Sequence, residues 1–111
     1  MKLPIIILLL LILGLPARAT NLRGQVLRYN PASKSYYPLA GVRVDLWIYN
    51  GQQWIDLAFA QTGQDGTYLF VNISPGYIFH VQVLGNSFPA QPLTVLNIYP
   101  PNYQPIPTIT I

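Results

Sequence analysis

Two segments joined by Asn50-Gly51 contain most of the side chains in this sequence that could recognise a ligand. Asn-Gly is the strongest short-range signal for a two-residue type I′ hairpin turn. Such a turn places Trp47 opposite Trp54. It also places Asp45 opposite Asp56, on the same face of the hairpin. Leu57 and Phe59 then belong to the opposite, apolar face, which is predicted to lie in the core. Flat indoles flanked by carboxylates suit stacking on a sugar ring whose hydroxyls bond to the acids. The sequence therefore predicts a ligand or partner surface that consists of Arg43, Asp45, Trp47, Tyr49, Trp54 and Asp56.

The same residues also have purely structural interpretations. A cross-strand tryptophan pair can simply stabilise a hairpin, by roughly 0.2–1 kcal/mol. Alternatively, the proline-rich segment 99–107 could cover this face. Like charges directly opposite each other are unfavourable, so we expect Arg43, a bound cation or a binding partner to compensate for the pairing of Asp45 with Asp56. Two carboxylates are too few for a dedicated calcium cage, and we predict no metal site.

Catalytic residue types are scarce in this chain. It has no Cys, its three acids are all Asp, and His80 is its single histidine, placed between Phe79 and Val81. A histidine base needs a nucleophile within hydrogen-bond reach, and the sequence places neither Ser74 nor Ser87 beside it. We therefore predict that the protein is not an enzyme and that it needs no cofactor.

The first 19 residues have the pattern of a secretory signal. Lys2 precedes an apolar run over residues 3–15, and Ala17-Arg18-Ala19 offers small residues for cleavage. The run is shorter than the about 20 apolar residues of a membrane-spanning helix, although an uncleaved N-terminal anchor is the alternative. We predict a signal peptide over 1–19, a single domain over 20–111, and a periplasmic or extracellular location.

Removing this segment changes the charge balance. Four cations then face three Asp, so the net charge of residues 20–111 is 4 − 3 = +1. Scattered cations do not form the basic stripe of a nucleic-acid-binding protein, so we predict that no nucleic acid is a partner. Without cysteine, an exported domain of this size must be stable through its apolar core alone. The four cations are Arg23, Arg28, Lys34 and Arg43.

Residues 20–111 alternate apolar and other side chains with a period of two, and Gly, Pro and Asn interrupt them at short intervals, which is typical of an all-β sandwich. We predict turns at Asp65-Gly66 and Pro75-Gly76, where glycine tolerates a positive φ. Tyr68 and Phe70 between them are expected to point into the core. The predicted strands are Leu22–Tyr29, Val42–Tyr49, Gln53–Gln61, Thr67–Asn72, Tyr77–Leu84, Leu93–Ile98 and Thr108–Ile111.

Three motifs in this order resemble the carboxypeptidase regulatory-like and Cna-B-like domains. They are the stretches "GQV" from Gly24, "PLAGVRVDL" from Pro38 and "TGQDGTYLF" from Thr62, and a Pro-Gly turn and an aromatic strand follow them. The resemblance covers about residues 22–84. It implies a transthyretin-like, seven-stranded Greek-key β-sandwich. This fold serves many functions, so the resemblance leaves the partner open between a protein and a surface glycan.

Overall fold

The computed structural model describes residues 19–111, and the predicted signal segment otherwise lies outside them. The described residues form nine strands in two sheets and no helix, which confirms the all-β prediction. The strands are β1 (Thr20–Asn30), β2 (Ser35–Pro38), β3 (Arg43–Tyr49), β4 (Trp54–Gln61), β5 (Thr67–Ile73), β6 (Ile78–Val83), β7 (Asn86–Thr94), β8 (Gln104–Pro105) and β9 (Ile109–Thr110).

One sheet has the order β4-β3-β6-β7, and all its neighbours are antiparallel. The second sheet is built around the long strand β1. Strands β5 and β2 pair antiparallel with the first and second halves of β1, and β8 and β9 run parallel to it. The proline-rich C-terminal segment therefore extends the β1 sheet. For example, Ile106 donates its backbone N–H to the Arg23 carbonyl at 2.7 Å.

The core lies between the two sheets and follows from the period-two pattern, because alternate side chains of a strand point to opposite faces. Val44, Leu46 and Ile48 of β3 alternate with partly exposed residues, and Phe79, Val81 and Val83 of β6 do the same. Tyr68, Phe70 and Ile73 are buried, as predicted for Tyr68 and Phe70. The β1 sheet adds Leu22 and Val26, and the C-terminal segment adds Val95, Ile106 and Ile109.

The structure has nine strands where the sequence pattern predicts seven. The segment Ser35–Pro38, expected to be loop, pairs with β1 as a short, fully exposed strand. The predicted strand Leu93–Ile98 is wrong beyond Thr94, because the strand at this position is β7, which starts at Asn86. Proline cannot donate to a ladder, yet Pro89 and Pro92 are tolerated because β7 is the last strand of its sheet.

Both predicted turns around β5 are present. Gly66 and Gly76 have φ values of +77° and +96°. The Asp65 carboxylate accepts hydrogen bonds from the Thr67 hydroxyl at 2.6 Å and the Thr67 backbone N–H at 3.0 Å. These two bonds stabilise the charged form and lower the pKa of Asp65.

Candidate functional site

The β3–β4 connection differs from the predicted two-residue turn. Asn50 Oδ1 accepts hydrogen bonds at 2.9 Å from the backbone N–H groups of both Gln52 and Gln53. The Asn50 N–H in turn donates to the Gln53 carbonyl at 3.2 Å. These bonds close a four-residue loop over 50–53, in which Gly51 has a φ of +98°. The loop is therefore two residues longer than the Asn-Gly signal indicates.

The longer loop changes every predicted cross-strand pair. Trp54 lies opposite Tyr49, and Asp56 lies opposite Trp47. The predicted pairing of the two tryptophans is therefore wrong. The predicted pairing of the two carboxylates is also wrong, because Asp45 lies opposite Phe59.

A β-bulge at Leu57 explains the second half of this register. Leu46 pairs with Ala58 and Trp47 with Asp56, so Leu57 has no partner in β3. Because of this one extra residue, each side chain after it points to the sheet face opposite to the one that a regular strand would give it. The alanines at 58 and 60 therefore pack against the core, whereas Leu57 and Phe59, both predicted to be buried, are 47% and 58% exposed.

The outer face of this sheet holds a cluster of three rings. The Trp54 ring lies 5.4 Å from the Tyr49 ring, tilted by 51°, and 4.4 Å from the His80 ring, tilted by 48°. His80 belongs to β6, opposite Trp47. The sequence does not indicate that His80 lies on this surface, because no local pattern predicts that β6 pairs with β3. We call Tyr49, Trp54 and His80 the aromatic cluster.

Two nitrogen atoms near this cluster are enclosed and have no hydrogen-bond partner in residues 19–111. They are Trp47 Nε1 and His80 Nε2, and the two residues face each other across β3 and β6. Burial disfavours the charged imidazolium and lowers the pKa of His80. Because Trp47 is partly buried and the cluster rings are tilted, the two indoles do not form the flat, exposed platform that sugar stacking requires.

The charged residues lie at the other end of the same face. Arg43 Nε donates to Asp45 Oδ1 at 2.8 Å, and the guanidinium carbon lies 4.1 Å from the centre of the Phe59 ring. Asp56 makes no hydrogen bond or ion pair within the described part of the chain. The pKa of Asp56 is raised by partial desolvation and by the Asp45 carboxylate, and Arg43 opposes this shift. The structure thus places all six predicted residues on one face, although not in the predicted pairs.

A separate cleft of about 550 Å³ lies beside β1, and none of the six hairpin residues lines it. Arg23 and Tyr103 line one part of it, and Ala60 and Gln61 at the end of β4 line another. The guanidinium donates to the Tyr103 hydroxyl at 3.3 Å and lies 5.1 Å from its ring centre. Tyr103 belongs to the segment 99–107, so this part of the segment packs against β1 and away from the aromatic cluster.

Residues 19–111 contain no group of three or more His, Cys, Asp or Glu side chains that could hold a metal ion. Over the same residues, no helix is long and apolar enough to cross a membrane.

Comparison with known proteins gives no family. No family model matches the chain, and neither does any curated protein. Among solved structures, it is similar to a 9R-lipoxygenase from Cyanothece PCC8801, with 15% identity and a TM-score of 0.49 over 85% of this chain. It is also similar to a DUF3823 family protein from Parabacteroides merdae ATCC 43184, with 19% identity and a TM-score of 0.43 over 85% of this chain. The match spans 16% of the lipoxygenase and 45% of the second protein, and neither likeness bears on activity.

Proposed function

We propose that the protein is an exported, non-catalytic β-sandwich module of the transthyretin-like, carboxypeptidase regulatory-like type. It binds another polypeptide through the outer edge of β4. The observation that supports this function is that the outer edge of β4 has unpaired main-chain groups. Strand β4 is the last strand of its sheet, and within residues 19–111 its main chain pairs only with β3. A free edge of this kind can accept an extended segment of another chain as an additional strand.

The two ends of this sheet differ in how they are protected. Natural proteins block free edges with proline, lysine, very short strands or β-bulges. Strand β7 contains Pro89 and Pro92, and its pairing with β6 is irregular between Phe79 and Val81. The eight residues of β4 contain no proline and no cation, and Asp56 is their one charge. The bulge at Leu57 is the one such device along β4, so β4 is the less protected of the two edges and the one we assign to a partner.

Exposed apolar side chains along β4 give a partner strand something to bury. Leu57 and Phe59 are about half exposed, and Trp54 is 37% exposed. In strand addition, main-chain hydrogen bonds supply affinity and the alternating side chains supply specificity. Glycan binding at the face of Trp47 and Trp54, the alternative function predicted from the sequence, has less support because Trp47 is partly buried.

A synthetic peptide with the sequence of residues 53–62 tests whether this edge accepts a strand. The ¹⁵N-labelled protein, expressed from its full chain, is titrated with the peptide while amide chemical shifts are followed by NMR. We expect saturable shifts in β4 and in its neighbour β3, with the β1 sheet unchanged. Amide shifts that stay constant, or that change only outside this sheet, would contradict the proposed function.

A matched pair of aspartate variants controls for loss of apolar surface. Phe59→Asp introduces a carboxylate at the β4 edge, where a charge opposes strand addition, and it repels the Asp56 carboxylate, the one charge of the peptide. Leu84→Asp introduces the same charge at a residue that is 64% exposed and lies beyond the end of β6. We expect Phe59→Asp to weaken peptide binding about tenfold and Leu84→Asp to leave it unchanged.

A further inference from the structure

We propose that β4 pairs antiparallel with β4 of a second copy of the chain, so that Asp56 of each copy lies opposite Phe59 of the other. This inference rests on the proposed function and names its partner. It follows from the direction of the main-chain groups along β4 and from the positions of the charges beside that strand.

The hydrogen bonds of Thr62 show to which side the main-chain N–H and C=O groups point after the bulge. Its N–H donates to the Val42 carbonyl at 3.0 Å, and its carbonyl accepts from the Gly41 N–H at 2.9 Å. Alternate residues of a strand direct their main-chain groups to opposite sides. The groups of Ala58 and Ala60 therefore point to β3, like those of Thr62. Those of Phe59 and Gln61 point to the free edge.

The hydrogen bonds of the hairpin loop show to which side these groups point before the bulge. The Gln53 carbonyl accepts from the Asn50 N–H, so Gln53 faces β3. By the same alternation, Ile55 also faces β3, and its pairing with Ile48 agrees with this. The main-chain groups of Trp54 and Asp56 therefore point to the free edge.

The bulge gives the free edge a symmetric spacing of main-chain groups. In a regular strand, every second residue would direct its N–H and C=O groups to the free edge. In β4 these residues are Trp54 and Asp56 before the bulge, and Phe59 and Gln61 after it. These four positions are symmetric about the peptide bond that joins residues 57 and 58. Two copies paired antiparallel about that point align every free-edge group with a free-edge group of the other copy. Moving the register by one residue would instead align free groups with groups already bonded to β3.

The charges complement this register. Asp56 has no ion pair in the described part of the chain, and Phe59 has the Arg43 guanidinium 4.1 Å from its ring centre. Side chains directly opposite in an antiparallel pair have Cβ atoms about 4.5–5.5 Å apart. Pairing Asp56 with Phe59 of the other copy therefore brings its carboxylate beside Arg43 of that copy. Arg43 bonds Asp45 through Nε, which leaves its terminal NH₂ groups to donate.

The two-fold arrangement permits a charge-exchange experiment on the protein expressed from its full chain. Asp56→Lys alone sets Lys against Arg43 twice in the dimer, and Arg43→Glu alone sets Glu against Asp56 twice. An equimolar mixture of the two variants restores an opposite-charge pair at both positions. Sedimentation velocity is used to measure dimerisation of the wild type, of each variant and of the mixture.

We expect each variant alone to dimerise at least about tenfold more weakly than the wild type, and the mixture to recover most of the loss. Arg28→Glu, an exposed arginine change on β1 in the other sheet, serves as the charge control and should leave dimerisation unchanged. Thermal melting of each variant establishes that it is folded. A mixture no stronger than the separate variants would overturn the register.

The peptide titration separates failure of this inference from failure of the proposed function. A wild-type protein that remains monomeric up to about 1 mM, while the β4 peptide still binds, overturns self-pairing and leaves strand addition in place. A monomeric protein that also ignores the peptide overturns both proposals. Dimerisation with recovery in the mixture supports both of them.

Discussion

Gly66→Ala is expected to destabilise the domain by about 2–4 kcal/mol. At a φ of +77°, replacing glycine by alanine costs about 1 kcal/mol in backbone conformation alone. A Cβ at this position would also lie 2.5 Å from the Val26 carbonyl oxygen and 3.1 Å from Pro38 Cβ. Relaxing this overlap must move a backbone group, and overpacking of that kind adds about 1–3 kcal/mol.

The Val26 carbonyl cannot move easily, because the main chain of Val26 is hydrogen-bonded to two other segments. It accepts the Leu39 N–H at 3.1 Å, and the Val26 N–H donates to the Gly66 carbonyl at 2.8 Å. The turn after β4 is therefore bonded directly to the middle of β1. Displacing this turn weakens the junction between β1, β2 and β5, which is why a single methyl group has so large an expected effect.

Two other glycines separate the contact from the backbone conformation. Gly41 and Gly85 have φ values of +71° and +81°, close to that of Gly66, and a Cβ at either would meet no atom of residues 19–111 within 4 Å. Their alanine variants should cost only the conformational part, about 1 kcal/mol. Urea unfolding of the three variants measures the difference. Equal losses at all three positions would show that the contact with Val26 contributes nothing.

Phe79→Ala is expected to cost about 3–5 kcal/mol, the usual loss for a fully buried phenylalanine. Phe79 is completely buried in β6, a central strand of its sheet, and pairs with Ile48 on one side and Leu93 on the other. Phe59→Ala in the same sheet should cost less than about 1 kcal/mol. It removes an exposed ring and its contact with the Arg43 guanidinium, which is worth about 0.5–1 kcal/mol at an exposed site.

This pair of phenylalanine variants tests the β-bulge. If β4 were regular, as the sequence pattern predicts, Phe59 would lie in the core and its removal would cost nearly as much as that of Phe79. Urea unfolding of the two variants should instead separate them by at least about 2 kcal/mol. A comparable loss in both would contradict the bulge at Leu57.

Local sequence patterns predicted the parts of the fold that depend on neighbouring residues. Tyr68 and Phe70 alternate with exposed positions between two glycine turns, and the structure buries both of them. The hairpin register was not predictable in this way. The Asn50-Gly51 signal indicates a two-residue turn, but the Asn50 side chain bonds two further amides and lengthens the loop.

Long-range pairing accounts for the remaining differences. The bulge at Leu57 depends on how β4 fits β3, and no residue of β4 marks it. His80 joins the aromatic cluster only because β6 pairs with β3, across a sequence separation that a local pattern does not span. Residues 86–92 of β7 lie outside the predicted strands because two prolines suggest a break, and the position of β7 at the edge of the sheet is what tolerates them.

Residue-resolved amide exchange tests the outer edge of β4 most directly. The N–H groups of Ala58 and Ala60 bond to β3, so they should exchange slowly at every protein concentration. Those of Asp56 and Phe59 point to the free edge. They should exchange rapidly in dilute protein and become protected as the concentration rises or the β4 peptide is added. Rapid exchange at Asp56 and Phe59 under all these conditions would contradict binding through this edge.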